Sequence, residues 1–110
     1  DRAVAEYWRD NWDLTHYLVE NWGEVGENLT GKLHITVGDM DTYYLNNAVE
    51  LMEAAVADLS DPEPNISFEY GRRKPHCWIG SSPWRPGEDL NNSEFLRVVD
   101  AYLKGRGLSW

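Results

Sequence analysis

Two carboxylates and one imidazole are the side chains of this sequence best spaced to do chemistry together. Asp39 and Asp41 follow the segment Leu33-His34-Ile35-Thr36-Val37-Gly38, and His76 comes 35 residues after Asp41. A carboxylate beside a histidine holds the ring in one tautomer and stabilises the imidazolium, so the ring serves as general base and then as general acid. A second chemistry is compatible with the same acids. In an Asp-x-Asp phosphoryl-transfer site two carboxylates after a strand hold Mg²⁺ and one attacks phosphate, and Asp39-Met40-Asp41-Thr42 has part of that pattern. That motif wants Thr or Val two residues past its second Asp, and Tyr43 stands there. The capping alternative is that Asp39 and Asp41 only close a turn and start a helix.

The elements around these residues decide whether they can meet. Residues 33–37 alternate with period two and are rich in β-branched side chains, which predicts a strand, buried if its polar face is only His34 and Thr36. From about Thr42 to Leu59 the apolar residues recur at steps of three and four, which predicts a helix capped by Asp41 or Thr42 and stopped by Asp61-Pro62-Glu63-Pro64. Ile66, Phe68 and Tyr70 alternate with Ser67 and Glu69 as a second strand, and the turn Gly71 to Pro75 delivers His76 just beyond it. Asn91 or Asn92 caps a last helix whose apolar face runs from Phe95 to Leu103 and which ends at Gly105-Arg106-Gly107. Upstream, residues 3–20 predict one or two short helices, broken at Asn21-Trp22-Gly23, with Gly26 and Gly31 flanking a loop. Strands alternating with amphipathic helices predict an α/β fold with a parallel sheet. In such sheets functional groups collect beyond the carboxyl ends of the strands, where Asp39, Asp41 and His76 all fall.

Residues 31–42 read GKLHITVGDMDT, and Pro75-His76-Cys77-Trp78 follows the next strand. This package, over about residues 30–104, resembles the C-terminal third of the α/β-hydrolase superfamily, most of all its esterase branch. Chain order in that superfamily is nucleophile, acid, histidine. The resemblance implies that residues 31–110 are the C-terminal portion of an α/β-hydrolase-like parallel sheet with flanking helices, behind a helical lead-in over 1–30. It implies Asp41 as the acid, with Asp39 as fallback, and His76 as the histidine of a serine-type esterase. The nucleophile elbow is missing: none of Ser60, Ser67, Ser81, Ser82, Ser93 and Ser109 lies in Gly-x-Ser-x-Gly. The serine is therefore expected upstream, on a part of a longer protein, and this chain alone is expected to be inactive. The implied substrate is a small-molecule ester, and no cofactor or metal is implied.

Composition narrows the alternatives. Nineteen acids against ten Lys and Arg give a net charge of −9, which argues against nucleic acid because affinity for phosphates comes largely from cations. The charge runs from −5 over residues 1–30 and −7 over 31–70 to +3 over 71–110. Arg72-Arg73-Lys74 is read as solvated surface before it is read as an anion site. No apolar run is long enough to span a membrane, no signal peptide is visible, and residue 1 is Asp. The single Cys77 cannot form an internal disulfide and is expected as a small buried thiol. His34 is expected as a packed, hydrogen-bonded core residue, and His16 as a surface residue. Six tryptophans keep open a noncatalytic binding module, for example for carbohydrate, with Trp78 and Trp84 as the candidate substrate-binding aromatics. An incomplete sheet also predicts self-association through its exposed edge. Asn-x-Ser/Thr triplets at Asn28, Asn65 and Asn91 bear on the chain only if its parent is secreted.

Overall fold

A computed structural model describes residues 1–108. The order of elements is α1 (Arg2–Trp12), α2 (Leu14–Leu29), β1 (His34–Gly38), α3 (Leu45–Val56), β2 (Ser67–Gly71) and α4 (Asn92–Gly105). The two strands pair directly. Ser67 N–H donates to Leu33 O at one end and Asp39 N–H to Gly71 O at the other, so the strands run parallel. Mixed helices with a small parallel sheet place the chain in the α/β class. Contacts gather the chain into two compact units, Asp1–Ile35 with Tyr44–Phe68, and Thr36–Tyr43 with Glu69–Trp110.

In the first unit α2 packs on α1 and α3. Its buried side chains include Leu18, Trp22, Val56 and Pro64. The sequence predicts a break at Gly23, yet α2 runs unbroken to Leu29. Gly26 explains the continuity, because a Cβ there would lie 2.8 Å from the Trp22 ring and 2.9 Å from Pro62. The missing side chain admits that close approach, and Trp22 Nε1 donates to Pro62 O at 2.8 Å across the same contact. Tertiary packing thus outweighs the intrinsic helix cost of about 1 kcal/mol per glycine.

Two further expectations change in this part of the chain. α3 starts at Leu45 rather than Thr42, and its N-cap is Tyr44, in the left-handed region (φ 58°) with no side-chain capping bond. The predicted cap, Asp41, has its carboxylate on other groups, described below. His34 is exposed rather than packed in a core, because β1 leaves that face open, but its Nδ1 does hydrogen bond to Ser67 Oγ at 2.7 Å.

The second unit buries Val37 and Trp78 and is held by polar contacts. Asn91 caps α4 in a full capping box with Glu94, as its sequence predicts. Arg85 grips that Glu94 with two hydrogen bonds, Nε to Oε1 at 2.7 Å and Nη2 to Oε2 at 2.8 Å, and also donates to Asp89 O. The guanidinium draws the Glu94 carboxyl down to about 2. This fork ties the loop over residues 79–90 to the start of α4.

Candidate active site

The residues after β1 and β2 form a single cluster because the two strand ends are bolted together. Asp39 N–H donates to Gly71 O at 3.0 Å and Met40 N–H to Lys74 O at 3.1 Å. The Asp39 carboxylate accepts from Arg73 N–H. Gly38 is what allows this closeness: a Cβ there would stand 2.2 Å from Lys74 O and 2.5 Å from Pro75 O. Gly71 does the same on the other strand, where a Cβ would enter the Trp78 ring at 2.6 Å. A turn closed by Trp78 N–H on Pro75 O then presents His76.

His76 and Asp41 meet. Asp41 Oδ2 lies 2.7 Å from His76 Nδ1, and the Asp41 side chain is 1% exposed against 39% for His76. The other carboxylate oxygen accepts Tyr43 N–H at 2.7 Å, which fixes the rotation of the acid. The Tyr43 ring stands edge-on to the imidazole, centroids 4.8 Å apart at 74°. An ionised carboxylate only accepts, so Nδ1 carries the proton and Nε2 presents its lone pair. The arrangement is a buried acid behind a half-open base. It can take a proton at Nε2 from a hydroxyl and return it to a leaving group.

Asp39 does not share this place; its carboxylate is a staple between the two loops. Because Asp39 and Asp41 take separate partners, the pair does not converge as an Mg²⁺-holding Asp-x-Asp site does. Among the described residues no group of three His, Cys, Asp or Glu side chains is placed to hold a metal ion.

Beside the dyad in the chain is a hollow of about 280 Å³ whose walls include Pro75, Cys77, Trp78, Asp89 and Leu90. Trp78 is a buried wall of it, its Nε1 donating to Asp89 Oδ1 at 3.0 Å. Asp89 is also paired with Lys74 Nζ at 2.8 Å. Lys74, with help from the Trp78 indole, lowers the Asp89 carboxyl from its ordinary value against the opposing effect of burial. Trp84 does not line this hollow; its ring lies under the Arg97 guanidinium at 4.1 Å. Cys77 is exposed, not buried as expected, because the turn that presents His76 turns its neighbour outward too. Asp89 escapes sequence reasoning, since nothing in its spacing marks it as a neighbour of Trp78; Lys74 and Tyr43 stand out in the sequence only as part of a basic run and as a mismatch to the phosphoryl-transfer motif, not as partners of Asp89 and His76. No protein-family model, curated protein or solved structure matches the chain. Among the described residues no helix is long and apolar enough to cross a membrane.

Proposed function

We propose that Asp41 and His76 are the acid and histidine of a serine-type ester hydrolase, the chain being the C-terminal portion of its α/β-hydrolase domain. The 2.7 Å contact from a buried carboxylate to Nδ1 carries the reading, since it leaves Nε2 as the base. The chain order, acid after one parallel strand and histidine after the next, supports it, as does the resemblance of residues 31–42. No serine of the sequence lies in Gly-x-Ser-x-Gly, so in this reading the attacking hydroxyl and the oxyanion donors are supplied by another part of a longer protein. In the reaction, His76 takes the serine proton as the hydroxyl oxygen attacks the ester carbonyl. It then protonates the departing alcohol, and Asp41 stabilises the imidazolium between those steps. Water deacylates the serine by the same sequence.

The test is hydrolysis of p-nitrophenyl acetate by the protein translated from the entire open reading frame. Its upstream part should contain Gly-x-Ser-x-Gly. His76→Ala should lower kcat by about 10⁶ and Asp41→Asn by about 10⁴, the scales of losing a triad's histidine and its acid. A frame without such a serine, or full activity in His76→Ala, rejects the reading.

A further inference from the structure

We infer that the first unit carries a docking groove for a cationic amphipathic helix of a partner protein. Leu14, Tyr17, Leu18 and Leu29 of α2, Ile35 of β1 and Met52 of α3 enclose a groove of about 360 Å³ with no polar wall. The groove is not a sealed core, for Leu14 is 75% and Tyr17 52% exposed. α1, which packs on α2, adds exposed Val4, Tyr7, Trp8 and Trp12 at helical spacing and buries no residue at all. Exposed apolar surface of this extent marks an interaction site rather than ordinary surface.

Charge decides what fits. The first unit holds twelve acids against three Lys and Arg, a net −9, whereas the second holds seven against seven. The whole charge of the protein therefore belongs to the unit with the groove. α2 carries Glu20, Glu24 and Glu27 with no Lys or Arg, all three exposed. Glu20 and Glu24 lie three and seven residues beyond Tyr17, so they line the same side of the helix as that groove residue. A second copy of this chain would bring another −9 to the same face, and an anionic membrane or a nucleic acid would be repelled likewise. A helix with leucine-like side chains on one face and lysines beside them satisfies both the groove and its acidic flank. Ile35 and Met52 also belong to the α/β portion, but the experiment below reads helix binding and not hydrolysis, so its outcome is separate from that of the hydrolase reading.

The experiment titrates the full chain with a synthetic leucine–lysine amphipathic helix, and in parallel with its leucine–glutamate counterpart. The lysine helix should bind and the glutamate helix should bind at least tenfold more weakly. Leu14→Lys, and separately Glu20→Lys with Glu24→Lys, should each weaken the lysine helix at least tenfold while leaving the circular dichroism of the chain unchanged. All three positions are exposed, so folding is not at stake. Equal binding of both helices, no binding of the lysine helix, or a dimer in sedimentation that Leu14→Lys dissociates would overturn the inference.

Discussion

At the scale of residues, Asp39 and Asp41 are two positions apart and have separate structural tasks. Asp41 faces the imidazole, while Asp39 accepts a backbone N–H from the opposite loop. Asp39→Ala should therefore cost about 1 kcal/mol of stability in chemical denaturation, the usual net worth of one such hydrogen bond, with the Asp41–His76 contact retained. Asp39→Asn keeps an acceptor and should cost less. A second expectation concerns acid. Glu94 has a folded-state value of about 2, below its ordinary 4.5, because Arg85 hydrogen bonds to the charged form. A lowered carboxyl stabilises the fold above its unfolded value, and that contribution fades as pH falls from about 4.5 toward about 2. Glu94→Gln should melt below the wild type at neutral pH, and the gap should narrow steadily across that acid range. A gap constant with pH would show that the Arg85 fork is not what holds the loop.

At the scale of elements, glycines separate local propensity from packing within one helix. Gly23 of α2 has nothing within 4 Å of an added Cβ, whereas at Gly26 the Trp22 ring and Pro62 are in the way. Gly23→Ala should stabilise the chain by about 0.5–1 kcal/mol, the difference in helix propensity. Gly26→Ala should destabilise it by about 1–3 kcal/mol through overpacking, and Gly38→Ala at least as much, because there the obstacle is backbone. Thermal melts of the three variants read these signs directly. The same positions show what the sequence conceals. Glycine is ambiguous on its own, so Gly23 reads as part of a helix break and Gly26 as the edge of a loop, whereas the contact with Pro62 at Gly26 comes from 36 residues away. Asn91 with Glu94 is legible because a capping box is entirely local. The left-handed Tyr44 cap is not legible: the cap that the spacing predicts, Asp41, has its carboxylate engaged by Tyr43 N–H and His76 instead.

At the scale of the whole molecule, periodicity finds apolar faces without saying what covers them. Leu51 of α3 and Phe95 and Leu96 of α4 lie on predicted apolar faces, yet all are exposed, and no residue of α3 besides Val56 is buried. The α/β class and both strand-end loops were readable because alternation and helical spacing are local signals. Which side chains meet in those loops was readable in part. The Asp41–His76 pairing follows from adjacent parallel strands, whereas the Lys74–Asp89–Trp78 cluster depends on the course of a loop that carries no periodic signal. Charge makes a molecule-wide prediction. With all nine excess negative charges on the first unit, added salt should screen self-repulsion and raise the melting temperature at neutral pH. A melting temperature that falls with added sodium chloride would indicate that ion pairs such as Arg85–Glu94 outweigh that repulsion.

The most direct measurement on this chain is the tautomer of the neutral His76 ring by nitrogen NMR, with Asp41→Asn as comparator. The expected result is a proton on Nδ1 in the wild type that shifts to Nε2 in Asp41→Asn. A wild-type ring protonated on Nε2, unchanged by Asp41→Asn, would contradict Asp41 as the group that makes His76 a base.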